Sequence, residues 1–205
     1  GLLRSDASGK LVPDLAESYD VSADARVYTF TLKPDLVWHD GEPVTADDIV
    51  FTIEAAQDAN VKSPRRASWE GVRVEKADDR AITFTLDRPY APFLESAAIG
   101  ILPKHIWERA AGEQMIFSDF NSRPVGSGPY RIESVERDSS GIITAYTLAR
   151  NDDFALGTPF LKKIVARFYA SEEKVIEAYR RGIVDAVAAL TPTRVADILR
   201  SDSAV

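Results

Sequence analysis

Trp38-His39-Asp40-Gly41-Glu42-Pro43-Val44-Thr45-Ala46-Asp47-Asp48-Ile49-Val50-Phe51 is the stretch that decides the fold. It reads as a strand exit, a tight turn at Asp40-Gly41 and the start of a helix. Thr45 suits the N-cap, and Asp48 stands three residues on, where a carboxylate returns a bond to the backbone N–H of the cap. Val44 and Ile49 occupy the two positions of a hydrophobic staple, and Asp47 and Asp48 suit the positive end of the helix dipole. Ile49, Ile53 and Ala56 then recur at helical spacing, which predicts a helix over 46–58 with one buried face.

On either side of this helix the chain reads as strands. From Val27 to Leu32 it alternates, with Tyr28, Phe30 and Leu32 on one face and Thr29 and Thr31 on the other. Ala81 to Leu86 repeats the pattern, and even the letters Thr-Phe-Thr-Leu, although the flanking residues do not match. Val72 and Val74 precede a turn at Asp78-Asp79, so residues 71–86 read as a hairpin. Pro89, Pro92 and Pro103 punctuate a partly extended region, with a short helix after Pro103.

The last third alternates element types. Tyr130 to Val135 and Ile142 to Ala149 read as strands joined at Asp138-Ser139-Ser140-Gly141, and Ile164 to Tyr169 as another. Ser171 caps a helix over 172–181 that Gly182 ends. Val184 to Leu190 reads as a short apolar strand. Thr191-Pro192 opens a final helix with Val195, Ile198 and Leu199 on its inner face. Strand–helix alternation of this kind predicts a mixed or parallel sheet with covering helices, an α/β (mixed α+β) class.

Composition narrows function by exclusion. The 205 residues can bury a substantial core. The net charge of −7, from 25 basic and 32 acidic residues, offers no basic face for nucleic acid. The tight basic pairs Arg65-Arg66, Lys162-Lys163 and Arg180-Arg181 read as solvated surface. With no cysteine, disulfides and thiolate chemistry are excluded. No apolar run approaches the ~20 residues of a membrane-spanning helix. The start at Gly1-Leu2-Leu3 reads as an excerpt from a longer protein.

The chemistry-bearing residues have structural readings. The two histidines, His39 and His105, lie far apart in sequence: His39 is expected to hold a turn and His105 to begin a short helix, so neither metal nor any other cofactor is implied. Gly126-Ser127-Gly128 lacks the Lys-Ser or Lys-Thr of a phosphate loop and the spacing of a nucleophile elbow, and is expected to be a turn whose glycines take positive φ. Turn and cap chemistry account for Asp40, Glu42, Asp47, Asp48, Asp78, Asp79, Asp152 and Asp153. Nothing argues for an enzyme.

Several segments, in order, resemble the family 5 solute-binding proteins of ABC importers, the oligopeptide and dipeptide receptors. They are Leu11-Val12-Pro13-Asp14-Leu15-Ala16-Glu17-Ser18-Tyr19, the opening stretch with Tyr28 to Lys33 before it, and Ile101-Leu102-Pro103-Lys104-His105. Val125-Gly126-Ser127-Gly128-Pro129-Tyr130, Leu148 to Phe154 and Gly182-Ile183-Val184-Asp185 continue the match. Asp152 departs from the proline usual there, and the tryptophan that closes that segment in the family is absent.

The resemblance implies a periplasmic-binding-protein type II-like fold in which two lobes close on a solute. Residues 1–122 would be the extra subdomain of lobe I and residues 123–205 part of its core, the second lobe being absent. It implies peptides or similar small solutes as ligand, an ABC permease as partner and no catalysis. It places the parent at the periplasmic or extracellular face of the cytoplasmic membrane, joined to it only through the transporter or a lipid anchor. Tyr90, Phe93, Ile99 and Gly100 are the implied ligand contacts. Much of the ligand grip in peptide receptors comes from the other lobe, so this chain alone is expected to bind weakly and, with apolar surface uncovered, to self-associate. Two rival readings are the sensing domain of a transcriptional regulator with the same fold and one part of a hydrolase.

Overall fold

The two alternating segments become neighbouring strands. In the computed structural model, which describes residues 1–110 and 112–195, β1 (Leu3–Ser5) and β2 (Leu11–Pro13) pair as a short hairpin. β3 (Ala16–Val21), β4 (Val27–Leu32), β5 (Val72–Lys76) and β6 (Ala81–Leu86) form an antiparallel sheet in the order β3-β4-β6-β5. Tyr28 stands opposite Phe84 and Phe30 opposite Ile82, so the apolar faces of β4 and β6 coincide.

α1 (Ala46–Gln57) packs on β5 and β6 and buries Ile49, Thr52, Ile53 and Ala56. The helix stops where Asp58 turns extended, its N–H still bonded to the Glu54 carbonyl. Two further short helices, α2 (Arg66–Trp69) and α3 (Phe93–Ser96), bring Trp69 and Phe93 under the sheet. Phe93 meets Tyr28, Phe84 and Trp69 with ring centroids 4.5, 5.5 and 5.8 Å apart. Burying each such side chain contributes about 1.5–3 kcal/mol, and tilted aromatic pairs add a little more. α4 (Lys104–Trp107) and two 3₁₀ turns, Gly112–Phe117 and Asp119–Asn121, follow.

At the start of α1, Asp47 meets Lys76 at 2.6 Å and Lys104 at 3.6 Å, and Lys76 also reaches Asp79 at 2.6 Å. The Lys76 ammonium, with Lys104 adding to it, holds the Asp47 carboxyl below its ordinary range, and the two carboxylates raise Lys76 in turn.

Two compact units divide the chain: residues 1–132 with 148–163, and residues 133–147 with those from 164 onward. β7 (Tyr130–Arg137), β8 (Ile143–Arg150) and β9 (Lys163–Arg167) make a three-stranded sheet in that order. The second unit contains α5 (Glu172–Arg180), whose Ser171 cap accepts the Lys174 N–H and whose end carries Gly182 at φ +67°. Its interior is thin. Ala145, Ile176 and Ala178 are buried, whereas Ile142, Val165, Phe168 and Ile183 are exposed.

Three sequence expectations need correction. Val184 to Leu190 is irregular rather than a strand, because Ala189 takes φ +61° and no strand among the described residues pairs with the segment. An apolar run becomes a strand only where a neighbour takes up its backbone N–H and C=O groups. Gly126 and Gly128 are not among the glycines at positive φ. The final helix begins at residue 192, but Val195 is exposed rather than on an inner face, and Ile198 and Leu199 lie outside the described residues.

Candidate functional site

The stretch that decides the fold is bonded almost wholly to its own chain. Trp38 and Asp48 are 2% and 4% exposed. One oxygen of Asp48 accepts the Thr45 N–H at 2.8 Å and the Trp38 indole N–H at 3.4 Å, while the other accepts the Lys104 N–H at 2.8 Å. A buried carboxylate without such donors would cost several kcal/mol. Thr52 extends the tie: its hydroxyl donates to the Asp48 carbonyl at 2.7 Å and accepts the Leu102 N–H at 2.9 Å. The first half of α1 therefore fixes residues 102–104. Asp40 completes the link by pairing with His105 at 2.9 Å.

His39 holds a second junction. Its backbone N–H donates to the Gly126 carbonyl at 2.8 Å, its Nδ1 accepts the Gly126 N–H at 3.2 Å, and its Nε2 lies 3.0 Å from the Gly128 carbonyl. Those partners specify the tautomer with the proton on Nε2. A Cβ at Gly126 would lie 3.4 Å from the imidazole, so this glycine permits close approach rather than an unusual φ. Asn151, buried and not singled out from the sequence, donates its side-chain amide to the same Gly128 carbonyl at 3.0 Å. Its place in Arg150-Asn151-Asp152-Asp153 was the available signal.

The residues implied as ligand contacts scatter over one face of the first unit. Tyr90 is 51% exposed and borders an open groove of about 580 Å³, together with Ser68, Glu70, Gly71, Asp87 and Arg88. Ile99 borders a smaller hollow of about 60 Å³ that shares Ser68 with the groove and adds Arg65 and Glu95. Gly100 is exposed. Phe93 is fully buried in the aromatic cluster and offers no surface to a solute; it supports this face from beneath.

Groove residues of both signs, Glu70, Asp87 and Arg88, were not legible as a set. They come from the loops that enter and leave the β5–β6 hairpin, which meet at its open end, where Val72 stands opposite Leu86. Gly71 has φ +72°, and a Cβ there would stand 2.8 Å from an Asp87 carboxylate oxygen, so the groove wall demands glycine. Such a surface can hold a polar solute by charge, hydrogen bond and ring contact. Among the described residues no three His, Cys, Asp or Glu side chains gather to hold a metal ion, and no helix is long and apolar enough to cross a membrane.

Comparison with known proteins agrees with this framework. The family described as "Bacterial extracellular solute-binding proteins, family 5 Middle" matches residues 10–204. A putative ABC transporter peptide-binding protein of Brucella ovis is 30% identical over 184 residues, covering 88% of this chain and 34% of the relative. Among solved structures, NikZ from Campylobacter jejuni in complex with Ni(L-His) is 32% identical with a TM-score of 0.81, covering 90% of this chain and 36% of that one. The oligopeptide-binding protein AppA from Bacillus subtilis, in complex with a nonapeptide, is 26% identical with a TM-score of 0.81, covering 89% and 36%. The chain thus spans about a third of the length of these relatives. The mixed α/β architecture is that of type II periplasmic binding proteins, as the sequence implied.

Proposed function

The chain belongs to the bacterial extracellular solute-binding proteins of family 5, and from that premise we propose that it is part of the first lobe of a receptor that captures peptides or similar small solutes for an ABC permease. The observation that carries this reading is the family match over residues 10–204, reinforced by the buried Asp48 junction built from the family's own stretch. The mechanism is reversible capture by lobe closure, with no covalent step.

Residues 1–122 serve as the extra subdomain and residues 123–205 as part of the lobe's core. Tyr90, Ile99 and Gly100 contact the solute, while Phe93 fixes the face that carries them. The groove beside Tyr90 supports this assignment, since its mixed charges match a solute with both an amino and a carboxyl group. The parent works outside the cytoplasmic membrane, held there by the transporter or a lipid anchor. A Brucella relative described as peptide-binding favours peptides as the solute.

Native mass spectrometry of the gently purified full-length protein, followed by denaturation, tests the reading. A ladder of released peptides is the expected result. Release of a metal complex or a sugar instead would refute peptides as the solute, and catalytic turnover of the bound solute would refute the non-catalytic mechanism.

A further inference from the structure

Asp40-Gly41 is the single Asp-Gly pair in the chain, which has no Asn-Gly. We propose that Asp40 is a site of aspartate isomerisation that His105 holds closed: with the His105 bond in place the carboxyl stays off the Gly41 nitrogen, and without it Asp40 converts to isoaspartate. The step lies within the backbone, so it depends on no partner and its only co-reactant is water. The Gly41 nitrogen attacks Asp40 Cγ and forms a C–N bond, while the hydroxyl of the protonated carboxyl and the amide proton leave together as water, giving a succinimide. Water then adds to either of the ring's carbonyls. Opening at Cγ restores aspartate. Opening at the former backbone carbonyl breaks its bond to nitrogen and leaves the chain running through Cβ, as isoaspartate.

The fold creates the hazard and also supplies the restraint. Gly41 takes φ +92°, in the region that favours glycine. A Cβ there would meet nothing within 4 Å, so the turn keeps glycine for its backbone angle and not for lack of room. Glycine is also the neighbour that hinders succinimide closure least, since no side chain flanks the attacking nitrogen. The turn cannot exchange this pair for a sturdier one without strain, so protection has to come from bonds. The Gly41 N–H donates to the Trp38 carbonyl at 2.9 Å, which points the nitrogen away from the carboxyl. One Asp40 oxygen accepts the Glu42 N–H at 3.3 Å, and the other meets His105 Nε2 at 2.9 Å. A carboxylate only accepts, so Nε2 carries the proton.

Closure has to break every one of these bonds. Those to Trp38 and Glu42 are made by the turn itself and loosen with it. The bond to His105 is the shorter of the two on the carboxylate and anchors it to α4, a separate element of the same unit. Isomerisation would be felt beyond residue 40. An extra backbone carbon opens the turn that the Trp38 N–H closes on the Glu42 carbonyl at 2.8 Å, and it replaces the side chain that reaches His105 by a carboxylate on Cα.

The test incubates the full-length protein at neutral pH and physiological temperature and follows isoaspartate at residue 40. Peptide mapping with electron-transfer fragmentation is the readout, because the product has the mass of the starting chain. Asp138-Ser139, in the turn between β7 and β8, serves as the internal reference. His105→Ala should speed isomerisation at Asp40 about tenfold, the share of one hydrogen bond to a charged group, and leave Asp138 unchanged. His105→Gln, whose amide donates in place of Nε2, should stay near the wild-type rate, and the wild-type protein unfolded in urea should isomerise fastest. Circular dichroism verifies that both variants remain folded. An Asp40 rate that His105→Ala leaves unchanged overturns the proposal. So does an equal rise at Asp138, which would mean general loosening, a Gln variant as fast as the Ala one, or a native rate equal to the unfolded one.

Discussion

Asp48→Ala should be among the most damaging single changes in α1, although it removes only a short polar side chain. The wild-type carboxylate takes two strong bonds from backbone N–H groups at 2.8 Å, those of Thr45 and Lys104, and a longer one from the Trp38 indole at 3.4 Å. A hydrogen bond to a charged group contributes about 1.5–3 kcal/mol net, and a buried donor left without a partner costs about 1–3 kcal/mol. The two short bonds together therefore account for about 3–6 kcal/mol, with the indole bond adding little. Asp48→Asn should lose less, about 2 kcal/mol, because one oxygen remains while the amide opposes one of the two N–H donors. Urea unfolding followed by tryptophan fluorescence is the suitable assay, since Trp38, Trp69 and Trp107 are all buried in the first unit. With a slope of about 2 kcal/mol/M, the Asp48→Ala midpoint should fall by about 1.5–3 M. A loss below about 1 kcal/mol would mean that water replaces the carboxylate at no great cost, and the junction would not be what fixes residues 102–104.

Three further outcomes follow from local geometry. His39→Phe keeps the shape of the side chain but removes both ring bonds, so the Gly126 amide should exchange with solvent about tenfold faster, equivalent to ~1.4 kcal/mol; unchanged exchange would show that Asn151 alone holds the loop. Gly71→Ala at φ +72° should cost about 1–2 kcal/mol in thermal or urea unfolding, and Asp87→Ala should return only the steric share of that loss. For Asp47, whose carboxyl Lys76 holds below the ordinary 3.8, the stabilisation is present above that value and disappears as pH falls through the lowered native one. Asp47→Asn should accordingly flatten the loss of stability on the acid side. The effect is small, because the side chain is 44% exposed and screened by salt.

Strong periodicity was legible, and elements that depend on a neighbour were not. β4, β6 and α1 could be read because one face of each is buried, and burial writes itself into the sequence as alternation or as 3.6-residue spacing. β3 could not, since all its residues after Ala16 are exposed and the polar run Glu17-Ser18-Tyr19-Asp20 carries no alternation. Pairing with β4 makes it a strand, helped by Tyr19 stacking on Phe30 at 5.3 Å. Val184 to Leu190 is the converse, a run with the right letters and no described neighbour. At the candidate site the difficulty was direction. Pro89-Tyr90-Ala91-Pro92-Phe93 names two aromatics, and only the start of α3 at Phe93 decides that one turns inward while the other stays out.

The most recognisable stretch of the chain and the choice of solute under the proposed function are therefore separate matters. Trp38, Gly41, Thr45 and Asp48 form a turn, a cap and a buried junction, and His39 and Asp40 tie that junction to Gly126, Gly128 and His105. None of these contacts leaves a group free to distinguish one solute from another. A sequence that keeps them keeps this framework, whatever solute the proposed receptor holds. The proteins bound to Ni(L-His) and to a nonapeptide accordingly match this fold equally closely. Under the proposed function, this chain's share in discrimination falls to positions that the framework does not consume, and the exposed side chains beside the groove, Glu70, Asp87, Arg88 and Tyr90, are of that kind. Exchanging these four between two family members should change the preferred solute while leaving unfolding unaltered, whereas exchanging residues 38–48 should change neither.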